Sequence, residues 1–321
     1  MDFLDDQHLF VTERGGNLYL VNLLTGERNT IANVPTVQAT RQGGMLDVAV
    51  HQNPDDDSVT VYLCYSLLIG DKTVTAIDKA KFGGIDLTDR QTIFKANNQE
   101  ISAIHYGCRL VLNDGYLYAS LGERGQRHKA QDPKSHAGAI IRLNEDGSIP
   151  DNNTNLSNWA PEIISKGHRN PQGLTYSSFD KKIYASNHGA RGGDWFGEIK
   201  KGENYGWKIL GWGGTNYSGL PIGPKWKPGF TKAIKYWVPS IAASAITIYK
   251  GQEFKSWEGH ALITSLKDQS LRKLIFKDLS NVKEDLIFKN KIGRIRDIQI
   301  HPKTGKIYFL SEDSLWLMEK S

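Results

Sequence analysis

A short stretch near the middle of the chain, residues 167–174 (GHRNPQGL), carries an unusual density of polar side chains. It places one guanidinium, Arg169, beside two amides, Asn170 and Gln172. Guanidinium and amide donors suit a ligand that presents several carboxylate or carbonyl oxygens. The motif therefore predicts a binding site for an oxygen-rich, anionic ligand.

Two arginines, Arg294 and Arg296, are spaced two apart in the stretch 293–297 (GRIRD). Alternate residues of a strand face the same side, so the two guanidiniums would lie next to each other. They repel unless an anion or a carboxylate lies between them. The pattern fits either an anionic ligand or a solvated surface pair with Asp297 as its partner. Lys267, in a largely apolar stretch, is either a third contact for an anion or a lysine in a turn.

One histidine, His105, directly precedes a predicted inner strand, and Glu123 follows the far end of the hairpin that this strand begins. A neutral imidazole can act as a general base near pH 7. Glu123 could orient the ring and raise its basicity. The competing interpretations are a structural histidine and a turn carboxylate paired with Arg124.

The sequence lacks the signatures of several common catalytic classes: the HExxH zinc helix, the GxSxG elbow, GxGxxG and Walker loops, and paired-cysteine zinc sites. The net charge of +5 is spread along the chain, which argues against a nucleic-acid partner. No uncharged stretch is long enough for a membrane span, and the acidic start of the chain does not resemble a signal peptide. Cys64 and Cys108 have no metal-knuckle spacing and are too few for a disulfide framework, so we expect two small buried hydrophobes.

The elements that must position these residues are strands, because short apolar and aromatic runs alternate with Asn, Asp and Gly turns. A phrase made of an apolar strand, such a turn and an Ile/Leu-Tyr pair recurs along the chain, and looser copies fill the gaps. The copies lie at residues 16–20, 46–67, 113–120, 180–186, 246–276 and 304–310. About six units with a period of roughly 50 to 65 residues predict an all-β, six-bladed β-propeller with four-stranded antiparallel blades.

We expect the whole chain, residues 1–321, to form a single propeller domain, since its 39% hydrophobic and 23% charged residues are typical of a globular protein. The first unit is shorter than the others, which predicts a first blade without its outer strand. Residues 200–229 are rich in Gly, Trp and Pro and are expected to form a long loop. Loops on a rigid scaffold are where binding sites are commonly built.

Taken together and in this order, the motifs resemble the soluble aldose sugar and glucose dehydrogenases that use pyrroloquinoline quinone (PQQ). The resemblance covers nearly the whole chain, and GHRNPQGL is its most specific part. The other matching stretches are 42–49 (QGGMLDVA), His105 with 107–110, 121–125 (LGERG), 187–190 (NHGA), 202–207 (GENYGW), 239–242 (PSIA), Lys267 and 293–297.

This resemblance implies an enzyme that uses PQQ and Ca²⁺ to oxidise the C1 hydroxyl of aldoses to lactones and passes electrons to an unidentified acceptor. His105 would take the proton of the anomeric hydroxyl, Glu123 would support that histidine, and Arg169 would lie beside the quinone oxygen that becomes negative. Gln42 matches a residue that lines the sugar pocket. The residues that match contacts of the cofactor are Asn170, Gln172, Lys267, Arg294 and Arg296.

The family also places a calcium ion on PQQ through main-chain carbonyls, which would here belong to Gly189 and Ala190. A second, structural calcium of the family uses a GGDE phrase in which Trp195 here replaces the glutamate. Asp194 and Tyr205 are the remaining candidates for that second ion. Members are generally exported, so we expect a periplasmic or secreted protein, monomeric or homodimeric.

Two other functions compete on the same fold. A degenerate propeller that binds carbohydrate or protein without redox activity is favoured by Trp195 and by the short first unit. Such a binder should have lost His105, Arg169 or the arginine pair, and the sequence retains all of them. A lactonase-type hydrolase would need carboxylates and amides that converge on calcium, whereas the motifs offer arginines and a histidine. We therefore expect a dehydrogenase.

Overall fold

The computed structural model describes residues 1–153 and 156–320. These residues form six small sheets and two short 3₁₀ helices, Lys129–Gln131 and Lys255–Trp257. The described part of the chain contains no helix that is both long and apolar enough to cross a membrane. The contacts divide the chain into two compact units, Met1–Ile164 and Ser165–Ser321. The all-β class is confirmed, whereas the single domain stays a prediction.

Unit 1 begins with two four-stranded antiparallel sheets in which the strands follow each other in chain order. The first contains β1 (Asp2–Phe3), β2 (His8–Thr12), β3 (Leu18–Asn22) and β4 (Arg28–Thr30), and the second β5 (Met45–Gln52), β6 (Val59–Ile69), β7 (Lys72–Phe82) and β8 (Leu87–Lys95). The prediction that the first blade lacks a strand is therefore wrong. Its first strand, β1, at one edge of the sheet, has two residues, which is too short for an alternating pattern to show in the sequence.

A third sheet places β9 (Gly107–Asn113), β10 (Tyr116–Leu121), β11 (Ile140–Asn144) and β12 (Ile163–Lys166) next to one another in chain order. Asp114 and Gly115, both with positive φ, form the two-residue turn between β9 and β10, as expected for a tight hairpin. The last two residues of β12 open unit 2, where Ser165 and Lys166 pair in parallel with β16 (Glu203–Asn204).

Unit 2 continues with two four-stranded sheets and ends with a sheet that has three strands among the described residues. The strands are β13 (Pro171–Ser177), β14 (Lys182–Asn187), β15 (Asp194–Ile199) and β17 (Lys235–Trp237); β18 (Ala243–Ile248), β19 (Ala261–Ser265), β20 (Ser270–Ile275) and β21 (Lys283–Lys289); and β22 (Asp297–Ile300), β23 (Ile307–Leu310) and β24 (Leu315–Met318). The segment between β16 and β17 is the long loop that the sequence predicts.

Each unit has cores of its own, built from the inward-facing residues of its strands. In unit 1, Tyr62, Leu117 and Ile141 belong to one buried cluster. In unit 2, Phe196 and Ile263 belong to another. Burying such side chains is what holds adjacent sheets together, at roughly 25 cal/mol for each Å² of apolar surface removed from water.

Cys64 on β6 and Cys108 on β9 form a disulfide within unit 1. The prediction of two buried hydrophobes is therefore correct about burial, since both residues are less than 5% exposed, and wrong about their chemistry. The two cysteines are 44 residues apart, and only the packing of β6 beside β9 brings them into contact. Disulfides persist in oxidising compartments, which agrees with an exported protein.

Candidate active site

The side chains of His105 and Glu123 form a short contact in unit 1, with 2.6 Å between His105 Nδ1 and Glu123 Oε1. The main-chain N–H of His105 also donates to Gln42 Oε1 at 2.7 Å. An ionised carboxylate can only accept, so Nδ1 carries the proton of a neutral ring and Nε2 is left as the basic nitrogen. The structure thus brings together the predicted base, its carboxylate and the predicted sugar-pocket residue.

Because both side chains are buried, this contact becomes stronger when the imidazole ring of His105 takes a positive charge. Glu123 is 1% exposed and His105 is 9% exposed. A carboxylate in such surroundings interacts more strongly with an imidazolium than it would in water. The competing pairing of Glu123 with Arg124 is not what the structure shows, because the Arg124 guanidinium binds oxygens of residues 73, 102 and 104 instead.

A glycine allows the His105 segment to reach the end of β10. Gly107 pairs with Leu121 at a register shift between β9 and β10. Its φ is +77°, and a Cβ at this position would lie 2.3 Å from the carbonyl oxygen of Ser120. Only glycine avoids this clash, so the residue type at position 107 is part of what places His105 opposite Glu123.

In unit 2, the polar motif at the start of β13 is held by one side-chain amide. The N–H groups of Arg169 and Asn170 both donate to Asn187 Oδ1 at 3.0 Å. The Arg169 guanidinium carbon lies 5.3 Å from the ring centroid of Trp207, and the main-chain N–H of Trp207 donates to the carbonyl of Gly167 at 2.7 Å. Arg169 and Asn170 are each 4% exposed, so both are fixed before any ligand binds.

The turn that contains Gly189 and Ala190 is tied down by Asp194. One carboxylate oxygen of Asp194 accepts the N–H of Gly189 at 2.8 Å, and the other accepts the N–H of Ala243 at 3.2 Å. The Ser240 hydroxyl donates to the same carboxylate. Asp194 is fully buried, so its charge is compensated by protein donors.

The second candidate for a structural calcium has different partners. The Tyr205 hydroxyl donates to the Glu198 carbonyl at 2.5 Å and accepts the N–H of Lys200 at 2.9 Å, and its ring stacks on Trp195. Across residues 1–153 and 156–320, no three His, Cys, Asp or Glu side chains are grouped to hold a metal ion. The ligands expected from Gly189 and Ala190 are main-chain carbonyls and not side chains.

Lys267 lines a cavity of about 580 Å³ in unit 2, together with Trp237, Ser240, Asp268 and Arg272. Arg272 already pairs with Asp268, at 2.5 Å, and with Glu284. None of the described residues forms an ion pair with Lys267, which leaves an uncompensated ammonium group at the cavity. The volume suits a small organic ligand.

Arg294 and Arg296 share one carboxylate. Glu312 Oε1 lies 3.1 Å from Arg294 Nε and 2.8 Å from Arg296 Nη2. All three side chains are between 43% and 55% exposed, so this contact is solvated and exchangeable. The carboxylate between the arginines thus belongs to the protein, and it is Glu312 from the β23–β24 connection.

Hydrogen bonds link the segments of unit 2 that carry these residues. The Ser186 hydroxyl donates to the carbonyl of Ser244 at 2.6 Å. The Ser244 hydroxyl donates to the carbonyl of Ile295, between the two arginines, at 2.7 Å. The N–H of Lys267 binds the carbonyl of Ile241 at 3.0 Å.

Gln172, on β13, is half-buried.

These observations fit an anionic cofactor that bears several carboxylates. Lys267 supplies a cation at a cavity, Arg294 and Arg296 share an exchangeable carboxylate, and Arg169 is held rigidly. Sequence reasoning missed two residues of this arrangement. The sequence indicated Glu312 only through the expectation that an anion or a carboxylate lies between the paired arginines. No residue spacing predicted the contacts of Arg124.

The six small sheets define the fold class as a β-propeller. The sequence profile described as Glucose / Sorbosone dehydrogenase matches residues 1–316, and the chain belongs to this family. An aldose sugar dehydrogenase of Escherichia coli is 35% identical over 324 residues, which cover 97% of this chain and 86% of that protein. The predicted family is therefore confirmed.

Solved structures extend the similarity to the fold. A crystal structure of a glucose dehydrogenase has a TM-score of 0.92 and 32% identity, and the match covers 100% of this chain and 95% of that one. The PQQ-bound form of an aldose sugar dehydrogenase from Streptomyces coelicolor has a TM-score of 0.77 and 25% identity, with 95% of this chain and 85% of that one covered. The predicted six-bladed β-propeller is confirmed.

Proposed function

We propose that this protein oxidises the C1 hydroxyl of aldose sugars to lactones with bound PQQ and Ca²⁺. The contact between His105 Nδ1 and Glu123 Oε1 carries the proposal, because oxidation at C1 requires a base for the hydroxyl proton. The PQQ-bound relative from Streptomyces coelicolor supports the choice of cofactor. The disulfide supports export to an oxidising compartment.

Lys267, Arg294 and Arg296 would hold the carboxylates of the cofactor, since Lys267 is a cation at the cavity and the two arginines share a solvent-exposed carboxylate that a ligand can displace. Asn170 and Gln172 would bind its other oxygens, and the main-chain carbonyls of Gly189 and Ala190 would hold calcium. Bound PQQ would supply the acceptor for the hydrogen and electron pair that leave C1, polarised by calcium as a Lewis acid.

The chain's own residues then handle charge and protons. His105 Nε2 takes the proton of the C1 hydroxyl, and Glu123 stabilises the imidazolium that forms. Gln42 Oε1 accepts the main-chain N–H of His105. The side-chain amide NH₂ of Gln42 would donate to a hydroxyl group of the sugar. Arg169 stabilises negative charge that develops on an oxygen, in an orientation fixed by Asn187 and Trp207.

The test starts from purified protein free of PQQ and metal. PQQ with Ca²⁺ is added, dye reduction is followed with a panel of aldoses, and the absorbance of bound quinone is recorded. Sugar-dependent reduction that EDTA prevents during loading supports the proposal. Quinone binding without reduction of dye by any aldose would overturn the proposed reaction, and no quinone binding would favour a propeller that only binds carbohydrate or protein.

A further inference from the structure

Arg124 is a fully buried arginine whose guanidinium donates to carbonyl and hydroxyl oxygens. It is 0% exposed. Its Nε donates to the Ile104 carbonyl at 2.9 Å, and its Nη1 donates to the Thr73 carbonyl at 3.0 Å. Its Nη2 donates to Thr73 Oγ1 at 2.8 Å and also to the Ser102 carbonyl. Burial lowers the pKa of this guanidinium, an effect that the nearby charges of Glu100 and Glu123 offset in part, so its hydrogen bonds fix it firmly in place.

The contacts converge on the segment that carries His105. Residues 102 and 104 supply two of the acceptors, and the N–H of Arg124 itself donates to the carbonyl of His105 at 3.3 Å. The guanidinium carbon lies 3.6 Å from the ring centroid of Tyr106, a distance at which a cation is attracted to the ring face. Arg124 therefore contacts both residues that flank His105.

His105 needs such support because its φ is +51°, a left-handed conformation that residues other than glycine adopt at an energetic cost. Tyr106 is fixed in turn by Thr73 Oγ1, 2.7 Å from its hydroxyl, and by the Thr75 hydroxyl, which donates to its carbonyl at 3.1 Å. The backbone around His105 is thus held by Arg124 and by β7, to which Arg124 is itself hydrogen-bonded.

We propose that Arg124 is a positioning residue that clamps the backbone of residues 102–106 so that the imidazole of His105 meets Glu123. Glu123 and Arg124, adjacent in one turn, then have different roles. Glu123 fixes the imidazole ring of His105, and Arg124 fixes the main chain that carries this ring. This proposal rests on the proposed function of His105, but the clamp itself is measurable without sugar oxidation.

Arg142 offers a matched control in the same unit. Its guanidinium binds Asn153 Oδ1 at 2.7 Å and the Asn152 carbonyl at 2.9 Å, and it lies over the ring of Tyr116. Arg142 thus makes the same kinds of contact as Arg124, but these contacts do not involve residues 102–106. Both variants lose a guanidinium that donates to protein oxygens and lies over a tyrosine ring, and they differ in position and in burial, since Arg142 is only half-buried.

The experiment compares Arg124→Met with Arg142→Met. We expect Arg124→Met to lower kcat by about 100-fold with little change in KM, as expected for a misplaced reacting group, while Arg142→Met keeps its kcat. Added guanidinium ion should restore part of the kcat of Arg124→Gly. Wild-type kcat in a folded Arg124→Met variant, or an equal loss in both variants, would overturn the proposal.

Hydrogen exchange gives the readout that does not depend on activity. Peptides that cover residues 100–108 should exchange faster in Arg124→Met and unchanged in Arg142→Met. Unchanged exchange in Arg124→Met rejects the clamp. Faster exchange in Arg124→Met, combined with a wild-type protein that oxidises no sugar, rejects the proposed function and keeps the clamp. If Arg124→Met does not fold, Thr73→Val removes one acceptor of Arg124 together with the contact to the Tyr106 hydroxyl, and Tyr106→Phe, which loses only the latter, is its control. Faster exchange in Thr73→Val than in Tyr106→Phe supports the clamp, and equal exchange in the two counts against it.

Discussion

The Glu123 carboxylate lies 2.6 Å from Nδ1 of His105 and is itself 1% exposed. A buried carboxylate that is paired with a histidine ring fixes which nitrogen carries the proton and stabilises the ring when it becomes charged. In the proposed reaction, this leaves Nε2 of His105 as the proton acceptor, without any need for a nucleophile on the protein.

Replacing His105 with alanine should leave PQQ bound and lower sugar oxidation by about 10²- to 10⁴-fold, the usual contribution of a general base. The quinone should stay because no cofactor contact is assigned to this side chain. Steady-state dye reduction and the absorbance of bound quinone measure the two effects separately. Unchanged turnover in a variant that is loaded with quinone would remove His105 from the mechanism.

Replacing Glu312 with glutamine should tighten the binding of PQQ by about three- to tenfold, since two exposed ion pairs at about 0.2 to 1 kcal/mol each no longer compete with the carboxylates of the cofactor. Titration of the apoprotein with PQQ at low and high salt measures the effect, which should shrink at high salt. Glu319→Gln, which removes the partner of exposed Lys306, is the matched control and should bind PQQ as the wild type does. Equal or weaker binding by Glu312→Gln would show that Glu312 does not compete.

The predictable part of this protein is what short-range patterns encode. Alternating apolar residues and Asn-Asp-Gly turns predict the strands, and the motif at 167–174 locates Arg169 at the start of β13. Contacts that depend on packing between sheets have no such pattern. Neither the disulfide of Cys64 with Cys108 nor the contact of Glu312 with the two arginines follows from spacing, because sequence distance does not determine which strands become neighbours.

The disulfide should stabilise unit 1 and with it the His105 segment, since Cys108 lies three residues after His105. A bond that closes a loop of 44 residues is expected to contribute about 4 kcal/mol through the unfolded chain. Urea unfolding with and without dithiothreitol measures this contribution. The Cys64→Ser/Cys108→Ser double variant should unfold at lower urea and ignore the reductant, and a wild-type midpoint in dithiothreitol would mean that the bond adds no stability.

His168 should make the protein less stable in mild acid. Burial lowers the pKa of this histidine to about 3, so the unfolded chain binds a proton below about pH 6.5 that the folded chain rejects. The stabilisation is complete above about pH 6.5 and is lost as the pH falls towards 3, by at most about 1.4 kcal/mol per pH unit. Urea unfolding at pH 7.5 and 5.5 should therefore show a larger loss for the wild type than for His168→Phe, which keeps a ring stacked on Tyr205.

A second histidine variant separates this effect from the general response to acid. His128 is exposed, and His128→Gln should lose as much stability between the two pH values as the wild type does. The comparison isolates position 168, because the three proteins share every titrating group except the one histidine that each variant replaces. If His168→Phe and the wild type lose the same free energy of unfolding between pH 7.5 and 5.5, His168 is not the buried neutral group that its contacts with Ser165, Trp195 and Tyr205 describe.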